Sequence, residues 1–175
     1  MNLYGTDLVR TVLPSPLCTL ALVASPAGLA AVLWEGEDGS RVGLAPLDAI
    51  PAAPADSLLI EAGRQLAAYL EGTLERFTVP LDLRGTSFQR RVWQALIDIP
   101  YGTTSTYGAI AAGLGCPAAS RAVGAANGRN PLSIIVPCHR LVGSTGALQG
   151  FAGGLAAKRW LIDLEAGRHR HGRAA

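Results

Sequence analysis

The hydrophobic pattern of the chain changes period at Thr86, and that change limits what it can fold into. Upstream, the runs "CTLALVA" (18–24) and "LAAVLW" (29–34) are short, apolar and joined by the turn-forming "SPAG", which reads as a hairpin. Residues 35–55 are rich in Gly, Pro and Asp without a sustained period, so a long surface connection is expected there. Asp56 or Ser57 can cap a helix in which Leu59, Ala62, Leu66, Tyr69 and Leu70 share one face, with Gly72 suited to its end. "FTVPLDL" (77–83) then alternates Phe77, Val79, Leu81 and Leu83 inward, and Pro80 restricts such a strand to an edge.

Downstream the period is helical. Thr86 with Gln89 forms a capping box, and Phe88, Val92, Leu96 and Ile99 follow until "PYG" breaks the run. "TSTYGAIAAGLG" and "CPAASRAVGAANGRN" are two short helical segments split at Gly115, with Pro117 suited to the first turn of the second; together they resemble a helix-turn-helix. A last helix, "GLAAKRWLIDLEAG", is expected to turn Leu155, Trp160, Leu161 and Leu164 to the core and to stop at Gly167. The fold expected is α+β: a small α/β domain over residues 1–84, then a helical domain over 85–175 containing the helix-turn-helix.

Composition narrows the function classes. Hydrophobic residues make up 49% and charged residues 16%, which excludes a disordered chain. The apolar runs fall short of the roughly 18 residues of a membrane span. No basic segment followed by an apolar one opens the chain, so a cytoplasmic protein without a membrane partner is expected. At a net charge of +2, the placement of cations matters more than their sum: Arg90 and Arg91, then Arg121, Arg129 and Arg140. The tail "GRHRHGRAA" reads as a solvated, frayed end. Cys18, Cys116 and Cys138 are odd in number and lack CxxC spacing, which fits neither a disulfide framework nor a four-ligand zinc site. At least one thiol is therefore free to act as a nucleophile.

Two stretches carry chemistry. In "AASRAVGAAN" Arg121 is the only long polar side chain before Asn127, too few base-facing groups for reading a sequence. The small residues allow close, nonspecific approach to DNA with Arg121 as a probe, or they simply let two helices pack with Arg121 as a surface charge. In "PCHR", His139 is of the right type to act as a base toward Cys138, and Pro137 favours the turn that adjacent partners need; the alternative is a buried, inert cysteine beside a chance histidine.

The motifs in order, "SFQRRVWQALIDIPYGTTSTYGAIA", "SRAVGAANGRNP", "NPLSIIVPCHRLV" followed by "GFAGG", and "KRWLIDLE", resemble the O6-alkylguanine-DNA alkyltransferases over residues 86–165. The resemblance implies a ribonuclease H-like N-terminal domain and direct-reversal DNA repair. In that reaction an alkyl group moves irreversibly from O6 of guanine in double-stranded DNA to a protein cysteine, once per molecule, in a monomer without metal or organic cofactor. It makes Cys138 the acceptor, with His139, acting through a water and backed by Glu165, as the base. Tyr107 would protonate the departing guanine, and Asn130 would hold the cysteine turn. Arg121 would fill the space left by a nucleotide flipped out from the minor groove, without regard to sequence. The base pocket would use carbonyls near Cys138 and Leu141, the Ala152 amide toward O6, and Phe151 for stacking. Phe151 stands where many relatives have Tyr, so a hydroxyl contact is lost. Some relatives bind zinc through the N-terminal domain, but no Cys and His set supports that here. The resemblance leaves open which alkyl groups are accepted, and whether O4-alkylthymine is a substrate. Two other classes compete: a helix-turn-helix regulator with an incidental cysteine, and a Cys138–His139 hydrolase, for which no local signature is present.

Overall fold

The computed structural model describes residues 7–168, so the expectation for the C-terminal tail lies largely outside the described residues. Three antiparallel strands, β1 (Val9–Pro14), β2 (Thr19–Ser25) and β3 (Gly28–Leu33), form a sheet in the order β1-β2-β3. The hairpin expected from "SPAG" joins β2 and β3. Strand β1 has no counterpart in the sequence reading; "VRTVLP" interrupts Val9, Val12 and Leu13 with Arg10, Thr11 and a terminal proline and shows no alternation, and it pairs along β2 from Ala24 to Thr19.

Helix α1 (Ser57–Leu70) covers one face of the sheet. Asp56, not Ser57, is its cap, with the carboxylate accepting from the Leu59 amide at 3.0 Å. Its buried Leu59, Ala62, Leu66 and Tyr69 pack with Leu20, Leu22, Leu29 and Val32. The opposite face, Val23, Ala31 and Leu33, is covered by Val42, Leu44 and Ile50. Residues 35–55 are therefore a second covering layer made of isolated apolar anchors between two short 3-10 turns, and the expected surface connection is corrected accordingly. Each anchor stands alone in the sequence, so no period announces it.

The strand expected over 77–83 is also corrected. Only a single parallel bridge forms, in which the Leu29 amide donates to Pro80 O and the Asp82 amide to Leu29 O, both at 2.8 Å. Pro80 has no N–H to extend a ladder. The close approach depends on Gly28, whose φ is 153° and whose Cβ, if present, would lie 2.7 Å from Pro80 O. Gly28→Ala is expected to destabilise the protein by on the order of 2 kcal/mol, from overpacking against a backbone atom and an unfavourable φ. Urea unfolding with an unchanged slope would show it.

The helical domain starts at α2 (Ser87–Ile97), where both arms of the Thr86–Gln89 capping box are formed. The Trp93 indole donates to Ala126 O at 2.9 Å, tying α2 to α4. Helices α3 (Tyr107–Gly113) and α4 (Ser120–Gly128) are separated by Gly115, at φ 75°, and a 3-10 turn at Pro117–Ala119. Two-residue strands β4 (Ser105–Thr106) and β5 (Leu141–Val142) pair in parallel. The last helix, α5 (Gly154–Glu165), buries Leu161 and Leu164 and half-buries Trp160. Leu155 is 50% exposed, contrary to expectation. It lies six residues from Leu161, about 120° around the helix, and so faces away from the core. Among the described residues no helix is long and apolar enough to cross a membrane.

Candidate active site

Cys138–Arg140 form a single 3-10 turn entered through Pro137. Just before it, Ile134 has φ 74°, a left-handed conformation that a β-branched residue adopts only under constraint. Asn130 supplies the constraint. Its Nδ2 donates to Val136 O (2.9 Å) and its Oδ1 accepts from the Leu132 amide (3.0 Å), so one buried amide closes the loop from both ends.

Behind the turn, Glu165 at the end of α5 gathers four partners. It accepts from His139 Nε2 (2.6 Å), from the Tyr69 hydroxyl, from Arg140 Nε (2.9 Å) and from the Gly102 amide (3.0 Å). Arg140 also donates to Ile99 O (2.6 Å) and lies over the Tyr101 ring. Burial alone would raise the Glu165 pKa, but its bonds to His139, Arg140 and Tyr69 hold it well below the usual carboxylate range. Burial pushes the His139 pKa below its ordinary value, and Glu165 only partly opposes that shift. The direction that survives is an ionised Glu165, secured by the permanent charge of Arg140, beside a neutral His139. With Nε2–H committed to Glu165, the lone pair lies on Nδ1, which is buried and has no hydrogen-bond partner in the protein.

Burial likewise raises the Cys138 thiol, while an Asn130 hydrogen bond and the charges of Lys158 and Arg41 pull it back. Lys158 is 0% exposed and donates from Nζ to Leu141 O and Gln149 O, each at 2.6 Å. Arg41 crosses from the N-terminal domain to donate from Nη1 to Gly128 O and Asn130 O, both at 2.9 Å.

A cavity of about 300 Å³ opens over Cys138, bordered by Tyr107, Asn130, Phe151, Ala152 and Arg41. That volume is at the low end of the roughly 300–1,000 Å³ usual for small-ligand sites. Burial and then the nearby Cys138 raise the Tyr107 pKa, which keeps its phenol protonated. Arg121 is exposed beside the cavity mouth, in a depression it shares with Tyr107, Gly124 and Gly150. His139 and Glu165 lie outside the cavity lining. So does Leu141, whose carbonyl is already engaged by Lys158. Cys18 is half-buried and Cys116 exposed, leaving Cys138 as the buried thiol. Among the described residues no group of three or more His, Cys, Asp and Glu could hold a metal ion.

Sequence reasoning gave no site role to Tyr69, Arg140, Lys158 or Arg41. Tyr69 falls at core spacing on α1, and only its hydroxyl reaches the charged cluster. The cations gave no spacing signal, although Arg140 and Lys158 both lie within the quoted motifs.

A buried thiol lining a cavity beside the helix pair α3 and α4 is the arrangement of a protein that presents an internal sulfur to a ligand. The DNA binding domain of 6-O-methylguanine DNA methyltransferase matches residues 87–167, and the ribonuclease-like domain of the same proteins matches residues 8–83. The chain therefore belongs to the 6-O-methylguanine DNA methyltransferase family. It is 59% identical over 104 residues to a methylated-DNA-protein-cysteine methyltransferase of Mycobacterium bovis; the match covers 59% of this chain and 63% of that protein, less than two thirds of its length. A Methanosarcina acetivorans protein of the same name is 58% identical over 105 residues, covering 60% of this chain and 67% of its own. The crystal structure of Mycobacterium tuberculosis O6-methylguanine methyltransferase is similar with a TM-score of 0.81 at 43% identity, covering 92% of this chain and 94% of that one. A Mycobacterium tuberculosis OGT structure in complex with DNA gives 0.78 at 45% identity, covering 91% and 94%.

Proposed function

We propose that this protein repairs double-stranded DNA by moving the alkyl group from O6 of a modified guanine to the sulfur of Cys138, irreversibly and once per molecule. The observation that carries this reading is the buried Cys138 at the cavity floor beside a neutral His139 fixed by Glu165. His139 Nδ1 takes the thiol proton through a bridging water, and the thiolate attacks the alkyl carbon in line. A carbon–sulfur bond forms, the carbon–O6 bond breaks, and guanine leaves with the electron pair. Tyr107 gives the departing base a proton and recovers one from the imidazolium. The repaired base is itself the leaving group, so the scheme calls on no metal or organic cofactor.

A guanine within the duplex must first be flipped out, at a cost of a few kcal/mol. Arg121 enters from the minor groove to fill the gap, and the small residues of α4 allow close approach without base-specific contacts. Phe151 stacks on the base, the Ala152 amide donates to O6, and the free lone pairs of the Cys138 and Leu141 carbonyls accept from the base amino group. Asn130 holds the turn through both steps. We take the working unit to be a monomer in the cytoplasm, where thiols stay reduced, with the domains divided between residues 84 and 85.

The test is intact-protein mass after incubation with a duplex containing one O6-methylguanine. The protein should gain one methylene, roughly 14 Da for a single covalent capture, and no more with excess duplex; Cys138→Ser should gain nothing. A bound duplex with no change in mass would defeat the repair reading, and release of product over many turnovers would point to a hydrolase.

A further inference from the structure

The cavity wall formed by residues 150–152 rests on a residue of the other domain. Trp34, at the end of β3 and 4% exposed, meets Phe151 edge-on, with ring centroids 5.3 Å apart and planes at 70°. It also lies so close to Gly153 that a Cβ there would be 2.5 Å from its ring atoms. The same segment also reaches the cavity through Arg41. The Trp34 amide donates to Glu37 Oε2 (2.9 Å), Glu37 Oε1 accepts from Arg41 Nε (2.6 Å), and Arg41 Nη1 donates to Asn130 O (2.9 Å). Phe151 and Arg41 both border the cavity over Cys138, while Trp34 touches it only through Phe151.

We propose that residues 34–41 act as a clamp from the N-terminal domain that sets the cavity width, with Trp34 as the positioning residue for Phe151, and so determine which alkyl groups reach the sulfur. The clamp rests on the alkyl-transfer reading. The physical reason is that interiors are close-packed: with the indole gone, Phe151 has no partner on its far side and settles outward into the space. A methyl group would then be held less closely, because misplacement of the reacting carbon by about 1 Å is enough to slow transfer strongly. A bulky flat alkyl group would gain room. Size discrimination by apolar pockets is modest per group, so the change expected is in a ratio of rates and not a switch in specificity.

The experiment compares single-turnover capture from two duplexes, one carrying O6-methylguanine and one O6-benzylguanine, by wild type, Trp34→Leu and Trp34→Phe, with thermal unfolding measured in parallel. Trp34→Leu should raise the benzyl-to-methyl rate ratio by about fivefold or more, whereas Trp34→Phe, which keeps a ring against Phe151, should restore the wild-type ratio within about twofold. Glu37→Gln, which weakens the link between Trp34 and Arg41 without opening the core, should shift the ratio in the same direction and serves if Trp34→Leu does not fold. Equal slowing of both substrates, with the ratio unchanged in a folded variant, would mean that Trp34 only supports the fold, and would overturn the clamp. Failure of wild type to capture either group would instead overturn the repair reading beneath it.

Discussion

Glu165→Gln is expected to slow alkyl capture by at least about a hundredfold, the scale of losing an oriented general base, and to cost about 3–5 kcal/mol of stability, the scale of breaking a buried ion pair from one side. The substitution leaves the Arg140 guanidinium buried without its carboxylate and replaces the charged acceptor that fixes the His139 tautomer by a neutral amide, which can also donate and so no longer selects one tautomer. The pH dependence follows from the same group. Glu165 sits at about 2 in the folded protein against 4.5 as its ordinary value, so its contribution is fully present above pH 4.5 and is lost as pH falls toward 2. His139, lowered from 6.5, adds to the same acid limb: the unfolded chain binds a proton below that value before the folded ring does. Unfolding free energies measured across this range should fall steeply with acid in wild type and less steeply in Glu165→Gln. Single-turnover capture by wild type should hold its rate from neutral pH to below pH 6.5 as far as His139 limits it. A variant that reacts at the wild-type rate would remove Glu165 and His139 from the mechanism.

Asn130→Ala is expected to slow capture by about a hundredfold, the scale of a 1 Å misplacement of a reacting group. It should also cost about 1–3 kcal/mol, because the Leu132 amide is left unpaired while the Val136 carbonyl loses one of its two donors and keeps the Cys138 amide. Asn130 bridges the Leu132 amide and the Val136 carbonyl on either side of the left-handed Ile134, and no other acceptor in the turn serves the Leu132 amide. Asn130 also helps to hold down the Cys138 thiol, so the variant's thiol should titrate higher. The pH dependence of iodoacetamide alkylation measures this directly. An unshifted thiol in a stable variant would limit Asn130 to a bystander in the turn.

How much was readable in advance depended on whether a residue acts locally. Thr86 with Gln89, Asp56, and the break at Gly115 speak to their own neighbours, and the structure has each where the sequence puts it. Strand β1 and the covering layer of Val42, Leu44 and Ile50 exist only because a distant strand or sheet face accepts them. The same division runs through the site. Cys138, Asn130, Tyr107, Phe151 and Ala152 were legible through motif order and do surround one cavity. Tyr69, Trp34 and Arg41 come from the N-terminal domain, where their spacing marks them as core or loop residues, and only the packing of the two domains reveals what they touch. Gly153 shows the limit well: it stands in the sequence only as part of "GFAGG", while the indole that leaves no room for a Cβ there is more than a hundred residues away.

The two shortest strands among the described residues, β4 and β5, pair with each other. Strand β4 ends at Thr106, whose hydroxyl caps α3, and its partner β5 begins at Leu141, whose amide closes the cysteine turn. Two residues of ladder thus rivet the start of α3 to the turn that carries the sulfur. The span from α3 to the thiol becomes a fixed gauge, and in the reaction proposed above the travel needed to meet it falls to the nucleotide.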